Sequence, residues 1–223
     1  MNSRALDQEH ARASGRALTT GLFRAARMVL GLVAGAVLAL AIGRAALHRG
    51  ETPLPELGAV PDFKLVEASG RPISRADLAG KVWVADFVFT SCAASCPKMT
   101  AEMGRLAEGT HDVTDLKLVS FSVDPETDTP EVLRTYAARH HADPARWWFV
   151  TGDDASLRKL AIDGFHIPVE AGDPAEGDAA IIHSEKFALV DRQARIRGYY
   201  DATDPESLAR LGADLRRLDR EPS

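Results

Sequence analysis

Cys92 and Cys96 are the only cysteines in a chain of 223 residues, and they sit four apart at a change of pattern. Before them runs an apolar stretch of buried-strand length, residues 82–89 (VWVADFVF); after them Pro97 opens a segment with Met99, Met103 and Leu106 on one helical face. A strand, a cysteine loop and a helix therefore follow one another. Backbone N–H groups and the dipole at the helix start favour the thiolate form of Cys96. A thiolate is both the nucleophile of disulfide exchange and the soft ligand that Cu(I) prefers. With three residues between the sulfurs, the loop is roomier than the CxxC of ordinary thiol oxidoreductases, so the pair can close into a disulfide or open around a metal. An inert structural disulfide is the competing reading, but closing so short a loop removes little chain entropy and stabilises little.

Two thiolates do not complete a metal site, and without further cysteine the next donor must be His, Met, Asp or Glu. Five histidines follow residue 50. His111 lies in a polar turn, His140 and His141 close a helix where a cation suits the dipole, and His166 lies in an irregular stretch. His183 differs, because it stands between Ile181-Ile182 and a strand beginning near Phe187, at a sheet edge from which it can reach the cysteine loop; a purely structural histidine is the alternative there. A closed zinc site would need a fourth protein ligand that is not evident, and no CxxCH is present for covalent haem.

The elements that must position these residues are marked by periodicity and caps. Strand patterns occur at 63–66 and 71–73, flanking the turn Ala68-Ser69-Gly70, then at 116–123, 147–151, 187–190 and 195–200, the last two joined as a hairpin. Thr129-Pro130 starts a helix over 131–141, a short helix covers 155–162, and Asp204-Pro205-Glu206 starts a closing helix with Leu208, Leu211, Leu215 and Leu218 on one face. Residues 170–180 read as an acidic surface loop. This alternation predicts an α/β domain with a central mixed sheet and helices on both faces, compatible with a thioredoxin-like fold.

The N-terminus is of another kind. The first 50 residues carry seven arginines against Asp7 and Glu9, so an overall charge of −5 leaves the other 173 residues with ten more acidic than basic side chains. An acidic domain of this kind is a poor partner for nucleic acid. Between Arg27 and Arg44 the run 28–43 is uncharged, and Ala45, Ala46 and Leu47 extend it toward membrane-spanning length. A cleaved signal peptide and a buried core helix are the competing readings. The reading adopted is a cytoplasmic segment 1–27, a transmembrane anchor 28–47, a tether 48–60 rich in Pro and Gly, and a folded domain 61–223 held outside the cytoplasm by the positive-inside rule. In such a compartment a thiol pair can be oxidised.

Three segments, FTSCAASCPKMT (89–100), SFSVDPETDTP (120–130) and IHS (182–184), resemble in order the Sco/SenC family of cytochrome c oxidase assembly proteins. The resemblance implies a thioredoxin-like fold and copper, as Cu(I) or Cu(II), ligated by Cys92, Cys96 and His183. It implies a metallochaperone for the dinuclear copper site of the oxidase, or a thiol-disulfide reductase acting on the oxidase's copper-site cysteines, or a copper or redox sensor. The implied partners are the oxidase's copper-site subunit, another copper chaperone or a thiol reductant, and the inner membrane. Ile182 stands where many members carry Asp, so a carboxylate at that position does not orient the imidazole. Asp124 either helps to position the cysteine loop or is a turn residue before Pro125.

Overall fold

The computed structural model describes residues 28, 30–40, 53–92, 95–167, 169–170, 181–182 and 184–221. Two units are separated at Pro53. In the first, residues 30–40 form a helix, α1, whose side chains, Leu30, Leu32 and Leu40 among them, are exposed. No helix among the described residues is long and apolar enough to cross a membrane. The predicted span 28–47 continues into residues 41–47, which lie outside the described residues.

The second unit is built on the strand that the apolar run predicts. β4 (Val82–Val88) is buried along its whole length and lies parallel to β5 (Leu116–Ser122), with Val82 opposite Leu116 and Val88 opposite Ser122. β6 (Trp147–Thr151) extends the parallel core. On the far side of β4 the hairpin β9 (Lys186–Val190) and β10 (Arg195–Asp201) runs antiparallel. With β1 (Gly58–Ala59), β2 (Lys64–Glu67) and β3 (Pro72–Ser74) the sheet has the order β1-β10-β9-β4-β5-β6-β2-β3. A parallel core buried on both faces requires an almost continuous apolar run rather than alternation, which is what 82–88 supplies.

Side chains alternate across the sheet, so each strand feeds two cores. Val82 and Val84 pack with Met99 and Met103 of α2 (Cys96–Gly109), Leu133 of α3 (Pro130–Arg139) and Leu211, Leu215 and Leu218 of α5 (Pro205–Arg220). Trp83, Ala85 and Phe87 face the other way, toward Phe63, Phe165 and residues around α4 (Asp154–Lys159). The caps form as expected: Thr129 Oγ1 accepts from Val132 N, and Asp204 accepts from Glu206 N and Ser207 N.

Two boundaries differ from expectation. The folded unit begins at Leu54 rather than Pro61, because the supposed tether is bound: Leu57 N donates to Ile196 O and Val60 N to Ala194 O. The Arg197 guanidinium, almost fully buried, donates to the carbonyls of Leu54 and Pro55 and to Asp191. The short helix expected at 155–162 runs as α4 and then widens to a π-turn over Leu160–Gly164, in which Phe165 N donates to Leu160 O. The wider turn leaves Leu160, Ala161 and Phe165 all in the core, and Gly164 fits there because a Cβ would stand 2.8 Å from Pro61 Cδ.

Candidate metal centre

Parallel strands deliver their following loops to one edge of the sheet, and ligand sites in such sheets gather at the strands' carboxyl ends. At the end of β4, Cys92 N donates to Phe89 O at 3.2 Å, turning the chain back before α2 begins at Cys96 with Pro97 in its first turn. Residues 93 and 94 lie outside the described residues. Cys92 and Cys96 are both buried, pack with Val88 and Phe89, and stand as separate thiols. Their side chains are close enough to hydrogen-bond to each other. Cys96 is further held through its carbonyl, which accepts from Thr100 Oγ1 at 2.9 Å, while the same hydroxyl meets Tyr136 Oη of α3 at 2.9 Å.

The expectation of a ready thiolate at Cys96 is corrected. Burial pushes the Cys96 thiol up to about 12, against a Phe89 backbone N–H that acts the other way, with Cys92 and Asp86 adding to the rise. The helix start offers only partial charges, whereas an ionised sulfur here would lose most of its hydration. The site holds a dithiol that must give up protons to react or to bind metal.

Two carboxylates that the sequence reading did not select shape this environment. Asp86, in the middle of β4 and 0% exposed, has neither oxygen hydrogen-bonded among the described residues. Its register partner Ser120, whose Oγ accepts from Trp147 Nε1 at 2.9 Å, lies near enough to ease its ionisation. Burial dominates and raises the Asp86 carboxyl to about 7. Asp128 is also 0% exposed but fully engaged, accepting from Thr90 N at 3.1 Å, from Thr90 Oγ1 and from Ser122 Oγ at 2.7 Å. Asp124, weighed from the sequence as a loop-positioning residue, serves its own turn: its carboxylate accepts from Thr127 N and its carbonyl from Asp128 N. A lone acid inside an apolar strand was the available signal for Asp86; for Asp128 the motif was visible but the choice between its two aspartates was not.

His183 lies outside the described residues. Around it, β7 (Val169–Glu170) pairs antiparallel with β8 (Ile181–Ile182), and β9 begins at Lys186. His111 and His140 keep structural surroundings. His111 Nδ1 lies 3.1 Å from Arg146 Nη1, and the His140 ring meets Tyr136 in a tilted contact with ring centroids 4.6 Å apart. The expectation of a dipole-favoured cation fails at His140, where burial, then His141 and Arg139, lower its pKa. His111, His140 and His141 line a cavity of about 300 Å³ beside α2 that neither cysteine lines. Among the described residues no group of three or more His, Cys, Asp or Glu is placed to hold a metal ion.

The SCO1/SenC family model matches residues 53–218, a span that takes in the sheet, both cysteines and most of α5. The chain belongs to the SCO1/SenC family. Among curated SCO1/SenC relatives, an SCO1 protein homolog of Bacillus subtilis is 33% identical over 147 residues, covering 65% of this chain and 75% of the relative. A protein of Stutzerimonas stutzeri named as a candidate copper-binding protein is 32% identical over 153 residues, covering 67% and 72%. A SCO1/SenC family lipoprotein from Bacillus anthracis superposes with a TM-score of 0.66 at 31% identity, covering 75% of this chain and 99% of that one. BsSco, described as a member of the Sco family of cytochrome c oxidase assembly proteins and as carrying a disulfide switch, superposes with a TM-score of 0.66 at 28% identity, covering 77% and 100%. The thioredoxin-like α/β fold with its curled mixed sheet is therefore the fold of this chain.

Proposed function

We propose that this chain is a membrane-anchored copper metallochaperone that serves the dinuclear copper site of cytochrome c oxidase. The observation that carries the reading is the adjacent, buried pair Cys92 and Cys96 at the carboxyl end of β4 in a chain of this family. Two neighbouring sulfurs suit Cu(I), and His183 is taken as the third ligand. β9 runs antiparallel to β4 with Ala85 opposite Ala188, so the chain enters β9 beside the end of β4 that leads to Cys92, which supports the choice of His183. The copper-binding name of the Stutzerimonas relative and the oxidase-assembly description of BsSco support the cargo and the target.

Copper here is cargo, received from another copper chaperone and passed on by exchange of thiolates with the cysteines of the oxidase subunit. Because Cys96 is held as a thiol up to about 12, capture at neutral pH releases protons, and apparent affinity rises with pH. The residues around the pair do the rest: the Phe89 N–H stabilises the Cys96 sulfur as its proton leaves, and burial shields the sulfurs from solvent.

A second reading uses the same sulfurs without metal. The dithiol attacks a disulfide between the oxidase's copper-site cysteines; one S–S bond breaks there and one forms between Cys92 and Cys96, with two electrons and two protons passing to the target. The closeness of the sulfurs and the disulfide switch of BsSco favour it. For placement, residues 28–47 act as the anchor, supported by the exposed apolar helix over 30–40 and the arginines before it, with the domain on the extracytoplasmic side. The Bacillus anthracis lipoprotein supports a membrane-associated domain.

The test is copper stoichiometry of the reduced full-length chain in detergent, without oxygen. One copper per wild-type chain, at least tenfold weaker in His183→Ala and absent in Cys92→Ser, is the expected result. A reduced wild type that takes no copper would leave thiol-disulfide exchange as the better account.

A further inference from the structure

We infer that Asp128 is a positioning residue for the dithiol: its buried carboxylate fixes Thr90 and so sets where Cys92 stands relative to Cys96. The inference rests on the reading of these cysteines as the working pair. β4 and β5 end side by side, with Val88 opposite Ser122, and one further bond from Val123 N to Val88 O at 3.0 Å closes their ladder. Beyond it the two loops part, one toward Cys92 and the other toward α3. Asp128 rejoins them. Both its oxygens face Thr90 N, at 3.1 and 3.3 Å; it also accepts from Thr90 Oγ1 and from Ser122 Oγ, the last residue of β5. Its own backbone is fixed by Asp128 N donating to Asp124 O at 2.9 Å.

Thr90 is two residues before Cys92, and the turn between Phe89 O and Cys92 N leaves little slack from one to the other. Cys96 is held separately by α2 and by Thr100, whose hydroxyl meets Tyr136. Asp128 immediately precedes the α3 N-cap and Tyr136 lies within α3, so one short segment carries the fixing point of each cysteine. Loops that only needed to be stable could use exposed turns of the kind Asp124 makes. A buried carboxylate aimed at the backbone of the cysteine loop instead fixes a distance, and the effective concentration of one thiol at the other governs both ring closure and chelation.

The test equilibrates full-length wild type, Asp128→Ala, Asp128→Asn and Thr90→Val with reduced and oxidised dithiothreitol, and titrates each reduced chain with Cu(I) against a competing chelator. Melting is followed in parallel. Asp128→Ala is expected to shift the disulfide equilibrium toward the dithiol by about tenfold, about 30 mV for this two-electron couple, and to weaken Cu(I) binding by a similar factor. Asp128→Asn keeps one acceptor oxygen and Thr90→Val keeps the Thr90 N–H bond, so both should fall between. If Asp128→Ala does not fold, these two carry the same readouts. Folded variants whose disulfide equilibrium and Cu(I) affinity stay within twofold of wild type, whatever their melting temperature, would overturn the inference alone. A wild type that neither closes the disulfide nor takes Cu(I) would overturn the site reading and this inference with it.

Discussion

Two neighbouring regions of the sheet, β4 and the loop after β5, each bury an aspartate completely, and they use it in opposite ways. In the loop after β5, Asp128 has donors from two elements and welds them together. In the middle of β4, neither carboxyl oxygen of Asp86 is hydrogen-bonded among the described residues, and burial holds the group protonated up to about pH 7. Burial alone does not give a carboxylate its role. With donors aimed at it, the charge is compensated and the group braces its surroundings; without them, the group stays neutral or costs free energy when it ionises.

The contrast predicts effects of opposite sign. A carboxyl raised from 3.8 to about 7 on folding favours the folded state fully below about pH 4, and that contribution is lost as pH climbs through about 7, because the unfolded chain binds fewer protons in that window. Urea unfolding should therefore show wild type losing on the order of 4 kcal/mol relative to Asp86→Asn between about pH 4 and pH 7. A difference between the two that does not change with pH would erase the distinction. Asp191, whose pKa stays lowered against its burial because backbone N–H groups and the neighbouring arginines hold it down, contributes with the reverse sign: its stabilisation is full above about pH 4 and is lost as pH falls below that.

Asp128→Ala should instead destabilise, by ~2–4 kcal/mol, since the Thr90 N–H and two hydroxyls lose their acceptor at once. The same unfolding curves measure that cost, and a neutral variant would show that Asp128 braces nothing. A smaller effect tests how Asp86 reaches the thiols. Burial is the first cause of the raised Cys96 pKa and the Asp86 charge the least, so Asp86→Asn should speed iodoacetamide labelling of Cys96 at pH 9 by less than about tenfold. Denaturant should speed it far more, and the reverse ranking would make charge, not burial, the controlling factor. Smallest of all, Ser122→Ala removes one donor from Asp128 and leaves both Thr90 bonds, for ~0.5–1.5 kcal/mol. If it cost as much as Asp128→Ala, the brace would act on β5 rather than on the cysteine loop.

Much of this molecule was legible in advance wherever the signal was local. The strand at 82–88, the helix opened by Pro97, the Thr129-Pro130 and Asp204-Pro205 starts and the closing hairpin all appear where periodicity and caps put them, because each depends on residues within a turn or two. What the sequence determined by itself is this order of elements, the cysteine pair at a strand-to-helix junction and the family. Only the tertiary structure decided the rest. Leu54 and Pro55 belong to the fold because Arg197, more than 140 residues later, takes their carbonyls. Asp128 rather than Asp124 holds the cysteine loop because it alone is carried inward between two parallel strand ends. Cys96 keeps its proton because helix dipoles act locally, whereas desolvation is imposed by everything packed around the sulfur, and that packing is assembled from strands and helices far apart in the chain.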